Sequence, residues 1–334
     1  MEQQKRRPWR RWVVLVLIIL GIFLGGKFLP IRPEITVAAE KLVEEPLFSL
    51  GPLGDFYLVN TIPTLVFTVL LIMLIAYAAN RSLKQSANTD LVPRGIGNLI
   101  ESILELLYNL TEGSAGTKYA RMIFPWFATI MIYVLFANLL KLIPGFETIG
   151  VLHPAHGDGH ATQLLGNFLG KKWSLLRAEE GDFILVPFAR GISVDLNFTV
   201  ALALISVVMI QVIGLRAQGF GYFSKFWNTR RMFKAPFFGA MDFLVGLIEL
   251  ISEISKVLSF AFRLFGNMFA GVVLLAVVAT MLNGLLGRFP VIPAMLYLFE
   301  LFVGVIQAFV FGMLTMVFMA QATQGHGEEH AEAH

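Results

Sequence analysis

The sequence predicts an all-α integral membrane protein: five to six transmembrane helices, one amphipathic interfacial helix, and a last pair of helices that is long and strongly tilted. Three observations predict it. Of 334 residues, 56% are hydrophobic and 15% are charged, where a soluble domain keeps about a quarter of its residues charged. The apolar residues fall in continuous runs, whereas a barrel strand would alternate every second residue. The charges gather between the runs, and the mean hydropathy reaches +0.71. No cysteine occurs, which excludes disulfides, thiolate nucleophiles and cysteine-held metals.

The first apolar run, 12–26, follows the basic stretch Lys5, Arg6, Arg7, Arg10 and Arg11. A basic start and a short apolar core describe either a retained membrane helix or a cleaved signal peptide. The second run spans 56–79 and ends at Asn80-Arg81, and the third spans 122–143, between Arg121 and Pro144-Gly145. Between them, Ile96, Leu99, Ile100, Ile103, Leu104, Leu107 and Leu110 recur at helical spacing, with Glu101, Ser102, Glu105 and Asn109 opposite. Such a helix lies in the membrane interface or packs on its own neighbours. The fourth run is 196–215, the fifth 239–286 and the sixth 291–320.

Lysine and arginine placement orients these spans. With six crossings, one side receives 1–12, 80–121 and 216–235, each with five Lys or Arg. The other receives 27–55, 141–195 and 287–290, with three, five and one. Both termini then lie on the more basic, cytoplasmic side.

The fifth run has 48 residues. As a helix it would reach roughly 70 Å, against a hydrocarbon layer of about 30 Å. It breaks into two crossings or runs obliquely, and an overlong sixth run beside it favours an oblique pair.

Charges inside a span mark ion paths by default. The fifth run carries Asp242, Glu249, Glu253, Lys256 and Arg263, with Glu249, Lys256 and Arg263 seven apart on one helix face. Ser252, Ser255, Ser259 and Asn267 thicken that stripe, and the small residues Ala270 and Gly271 extend it. The sixth run places Glu300, Gly304, Gln307 and Phe311 at spacings of three and four. Two facing polar stripes could line a hydrated passage. Glu253 and Lys256, three apart, could instead neutralise each other. Arg263 has no acid three or four residues away, and a guanidinium holds its proton in effectively any protein environment. Its counter-ion must come from elsewhere, and a carboxylate on a partner protein would serve.

The stretch from Leu258 through Arg263-Leu264-Phe265-Gly266-Asn267 to Ala270-Gly271 resembles the signature of the ATP synthase subunit a family. The segment from Asn138 to Pro144-Gly145 resembles that family's third-helix end, and Asp195-Leu196-Asn197 its fourth-helix start. Glu249, Ser252 and Lys256 resemble the approach to its arginine, and Gln307 to Phe311 its last helix, so the resemblance spans roughly 45–322. It implies a non-catalytic, multi-pass subunit in the inner (plasma) membrane of a bacterium, beside a c-ring of hairpin subunits that each carry one mid-membrane carboxylate. Subunit b of the peripheral stalk and the rest of the F-type ATP synthase would be further partners. Arg263 would be the essential arginine that keeps two half-channels electrically separate. Asn267, Glu300 and Gln307, with Asp195 and Asn197, would serve the outer half-channel. Glu249, Ser252, Ser255 and Glu253, with Lys256, would serve the cytoplasmic one.

The chain also departs from the family pattern. Val272 stands where some members carry Glu, and Glu300 where some carry His, so one acid is moved from the fifth helix to the last. A relay that needs a histidine does not transfer, because all six histidines lie outside the spans. On this reading 1–44 is an N-terminal extension, 45–322 the family domain with an outer-side loop insertion at about 147–188, and 323–334 a polar tail. The loop's His153, His156, Asp158 and His160 could bind a metal, but so much glycine favours a flexible polar loop, and His326, His330 and His334 in the tail read as a solvated end. No metal or other cofactor and no nucleic acid is expected. With no phosphate-cradling Gly-Lys-Thr loop, nucleotide chemistry falls to partner subunits. The alternative is a self-contained secondary ion transporter, but such folds show internal repeats and none is found between the halves.

Overall fold

The computed structural model describes residues 38–43, 45–49, 51, 54–87, 95–143, 146–168, 171–226, 236–281 and 291–324. The first apolar run and the histidine-bearing end of the tail lie outside them. A short hairpin, β1 (Phe48–Ser49) and β2 (Asp55–Phe56), precedes helix α1 (Thr61–Ala87). Then come α2 (Ile96–Leu140), an antiparallel ribbon of β3 (Gly150–Phe168) and β4 (Lys171–Pro187), α3 (Leu196–Gln218), a 3-10 turn (Gly219–Lys225), α4 (Pro236–Met281) and α5 (Val291–Thr323). Five of these helices are long and apolar enough to cross a membrane. The protein is all-α in its spans, as its composition predicts.

The described residues form two compact units. One takes its residues from Met1–Asn60, Leu142–Arg190 and Phe269–Phe302, the other from Thr61–Lys141, Gly191–Met268 and Val303–His334.

In the second unit α1 packs on α2, and α2 on α3. The later half of α2 buries Ala120, Ile123, Phe127, Ile130, Val134 and Ala137, which alternate at three and four residues and so form one face. On α3 the buried stripe is Thr199, Ala203, Ser206, Ile210, Ile213 and Gly214. Several of these are small, which lets helix backbones approach closely where no hydrophobic drive separates helix from lipid. Leu204, Ile205 and Val208 on the other side of α3 stay exposed, as a lipid-facing surface would.

Helix α2 joins two elements that the sequence reads separately. The amphipathic stretch continues past Leu110 into the third span, and the backbone departs from helix only at Gly116 (φ 73°, ψ 163°). That conformation is essentially reserved for glycine, so Gly116 is the joint between interfacial and spanning halves. The apolar stripe of the first half is divided. Leu107 is 1% exposed and packs inside, whereas Leu99 is 60% and Ile103 38% exposed. Part of the stripe therefore packs on neighbours, and part remains exposed.

The other unit corrects one expectation. The insertion at about 147–188 is not a flexible loop: β3 and β4 pair over nearly its whole length, from Gly150 opposite Pro187 to Phe168 opposite Lys171. Its register shifts, between Pro154 and Gly159 and again around His160, break the alternation that would have marked two strands. Arg190, just past β4, donates from Nη1 to the Ala38 carbonyl at 2.8 Å, tying the ribbon's base to the N-terminal stretch.

Helix α4 settles the overlong fifth run. It is one helix of 46 residues, not two crossings. Its apolar part, Phe243–Val278, has 36 residues. That length is roughly 54 Å and fits a layer of about 30 Å only if the helix leans far over.

Candidate functional site

The site is a line of polar and small side chains on α4, because residues three, four and seven apart share a helix face. Glu249, Ser252, Lys256 and Arg263 are partly exposed, and Ser255, Ser259, Asn267 and Ala270 are exposed. The opposite side buries Phe260, Ala261, Leu264 and Met268, with Phe260 against Phe311 and Phe318 of α5 at ring-centre distances of 5.2 and 5.8 Å. Packing of that apolar side holds the polar line outward.

Arg263 donates from Nη2 to Ser259 Oγ at 3.2 Å, one turn back on the same helix. Among the described residues it makes no ion pair. A permanent cation in a span-capable helix is therefore left with one neutral hydrogen-bond partner and an open face.

Four charges gather nearer the start of α4. Lys256 Nζ donates to Glu253 Oε1 at 2.8 Å, the i, i+3 pairing that the spacing allows. Lys225, from the 3-10 turn, donates to the same oxygen at 3.3 Å and forms an ion pair with Glu249. Glu253 is 6% exposed, while the Glu249 side chain retains 30%. Burial pushes the Lys225 ammonium down. The Glu249 hydrogen bond and the fields of Tyr222, Glu249 and Glu253 outweigh it, so its pKa lies above the ordinary lysine value. The sign is that of a cation with partners: Lys225 adds stability at neutral pH, which is lost only as pH rises through that elevated value. Sequence reasoning counted Lys225 among the orienting charges only.

On α5, Glu300 is 4% exposed. A side-chain carbon built at Gly271 would stand 3.2 Å from its Oε1, so the carboxylate lies against the α4 backbone where glycine leaves room. Gln307 is partly exposed two turns further along. Gly304, between them, receives on its carbonyl a 3.0 Å hydrogen bond from Asn138 Nδ2 of α2. Asn138 is fully buried, and its Oδ1 has no partner among the described residues. It is a second polar residue that sequence reasoning left out of the site, although a lone amide in the apolar run 122–143 was the available signal.

Asp195 and Asn197 stand apart from this line. Asp195 is the N-cap of α3: Oδ1 accepts from the Asn197 amide at 3.0 Å, and Oδ2 accepts from Thr61 Oγ1 at 3.2 Å. It ties the starts of α3 and α1 together and is 4% exposed. No hydrogen bond among the described residues links Asp195 or Asn197 to Arg263, Asn267 or Gln307. Replacing Asp195 by Ala is expected to destabilise the protein by about 1 kcal/mol or more, with Asn largely restoring it, because an N-cap needs only an acceptor. Thermal unfolding in detergent measures this, and an unchanged midpoint would remove the capping role.

Among the described residues no three His, Cys, Asp or Glu side chains are grouped to hold a metal. His153 sits opposite Ile184, and His160 opposite Glu180 and Phe183, on the ribbon. The side chains of His156 and Asp158 lie outside the described set.

Comparison with known proteins adds to this geometry. Residues 62–320 match the family described as ATP synthase A chain. A protein of Helicobacter pylori (strain Shi470) named ATP synthase subunit a is 30% identical over 265 residues, covering 78% of this chain and 89% of that one. A protein of the same name from Gloeobacter violaceus is 27% identical over 294 residues, covering 88% of this chain and 95% of its own.

Proposed function

Since this chain belongs to the ATP synthase A chain family and is a non-catalytic, proton-translocating, multi-pass membrane subunit, we propose that Arg263 is the fixed charge against which a rotating ring of carboxylate-bearing subunits turns. Protons reach the ring through one passage and leave through another, and Arg263 stands between the two. A guanidinium cannot give up its proton, so it blocks a direct proton leak. It also favours the ionised form of any carboxylate brought beside it, which makes that carboxylate release its proton in passing.

The observation that carries this reading is the open face around Arg263. Its line on α4 contains serine, asparagine and alanine, side chains small enough for a second helix to come close. The described residues supply no acid to neutralise it. A charge in the bilayer core costs several kcal/mol, roughly 2.5–3.5 on the insertion scale, so it is retained only with a partner.

Glu300, with Asn267 and Gln307, serves the passage to the outer side, where the buried acid against Gly271 can hold a proton. Asn138 joins this group through Gly304. Asp195 and Asn197 contribute there through the placement of α3. Glu249, with Ser252, Ser255, Glu253 and Lys256, serves the passage to the cytoplasm. Both termini then lie in the cytoplasm of a bacterium. The ring, subunit b and the soluble ATPase head complete the machine, and ATP synthesis occurs in the head. A self-contained transporter has less support, because both relatives described above carry the name of an ATP synthase subunit.

The chain has no native cysteine, so a single one at Asn267 reports its own neighbourhood. In the assembled complex it is expected to form a disulfide with a cysteine placed beside the ring carboxylate. Failure at 267 and at the neighbouring exposed positions 259, 262 and 270 would rule out the facing geometry.

A further inference from the structure

The 3-10 turn Gly219–Lys225 is seated more carefully than a connector requires. Tyr222 is 3% exposed and donates from its hydroxyl to Gln211 Oε1 of α3 at 2.8 Å. Its ring lies directly on Gly214, where any side-chain carbon would collide with the Tyr222 ring. The turn's far end rests on α4 in the same way: a side-chain carbon at Gly246 would collide with the Phe226 carbonyl. Two glycines on two helices and one hydrogen-bonded tyrosine thus fix where the turn ends. What it delivers there is the Lys225 ammonium, one helical turn along α4 from Gly246.

The groups around that ammonium are unequal. Glu249 and Glu253 face it from α4, Tyr222 and Phe226 flank it with ring centres 5.9 and 5.6 Å away, and Lys256 is the only other cation in the group among the described residues. Glu253 is buried and its Oε1 is shared by two ammoniums, while its Oε2 has no partner among the described residues. Among the described residues Glu249 is held by Lys225 alone, and it stays partly exposed to solvent. Lys256 is occupied elsewhere, over the Phe318 ring at 4.8 Å and on Glu253.

We propose that Lys225 is the positioning residue of the cytoplasm-side passage, holding the Glu249 carboxylate in place and passing its charge to Glu253 whenever Glu249 takes up a proton. This rests on the assignment of Glu249 to that passage. The step forms one O–H bond on Glu249 and breaks one on the proton donor, the ring carboxyl in one direction of flow or a hydronium of the cytoplasmic water in the other, while the Lys225–Glu249 ion pair opens. The ammonium keeps a counter-ion throughout, because Glu253 Oε1 is already within hydrogen-bonding distance at 3.3 Å. When the proton leaves, Lys225 returns. Without such an acceptor, protonating Glu249 would strand a half-buried cation, which is costly.

The test uses the whole complex in membrane vesicles, with passive proton conduction read after the ATPase head is stripped off. Lys225→Gln is expected to lower conduction roughly ten- to a hundredfold, the range found when a partner that orients an acting group is lost. Lys225→Arg should keep most of it. Lys225→Cys, low by itself, should recover when the assembled complex is treated with bromoethylamine, which rebuilds a lysine-like ammonium, and not when treated with neutral iodoacetamide. Recovery after assembly separates the charge from any role in folding. Wild-type conduction by Lys225→Gln, or no recovery of Lys225→Cys on aminoethylation, overturns the proposal. Arg263→Ala, assayed in parallel for ATP-driven pumping, distinguishes the two levels: if it pumps normally the parent reading fails, and if it does not while Lys225→Gln conducts normally, only the lysine inference fails.

Discussion

Arg263→Ala is expected to abolish ATP-driven proton pumping in vesicles while leaving the subunit inserted and assembled. The two halves of that expectation have one physical origin. Removing a guanidinium from a membrane helix lowers its insertion cost by roughly 2.5–3.5 kcal/mol, so the fold loses nothing by it. The Ser259 hydroxyl, exposed on the same face, needs no replacement partner. A structural arginine would behave in the opposite way, with lost assembly preceding lost activity. Arg263→Lys should also fail to pump normally, since an ammonium in low dielectric can shed its proton and a guanidinium cannot. Acid-induced quenching of a pH-sensitive dye reads pumping, and co-purification of ring and subunit reads assembly. Near-normal pumping by the alanine variant would refute the arginine's role.

Glu300→Gln is expected to slow proton flux by roughly a hundredfold, the lower end of what a positioned acid–base group contributes. Glu253→Gln should slow it less. The contrast follows from what surrounds each acid. Glu300 is buried against the Gly271 backbone, and an amide of the same shape would fill that space without being able to carry a proton. Glu253 is held by two ammoniums as their counter-charge, so its loss would weaken the hand-over from Glu249 proposed above without removing a group that itself carries the proton. Passive conduction by complexes without the ATPase head compares the two directly. Equal effects would undo the assignment of Glu300 to the outer passage.

Much of this site can be read along the chain. The i, i+3, i+4 and i+7 spacings alone place Glu249, Lys256, Arg263 and Asn267 on one face, and the absence of an acid near Arg263 is visible in the same stretch. The Glu253–Lys256 pair was an open alternative in the sequence, and the structure forms it. Lys225 was not legible, because no local pattern connects a residue of a 3-10 turn to carboxylates 24 and 28 positions later. Asn138 meets Gly304 across 166 positions, and Thr61 meets Asp195 across 134. The ribbon escaped for a different reason: glycines and shifted register erase the two-residue alternation that strands ordinarily show.

By itself, the sequence determined the membrane class, the existence of the spans, the family and the face of α4 that carries Arg263. All of these depend on hydropathy and helical periodicity, which act over a few turns of one chain segment. Tertiary structure alone decided that the fifth run is one unbroken helix as far as Met281, that Gly116 is the joint of α2, and which cation meets which carboxylate. Those outcomes depend on how closely backbones can approach, at Gly214, Gly246 and Gly271, and on which desolvated groups then find partners. Neither quantity is a property of any segment taken alone.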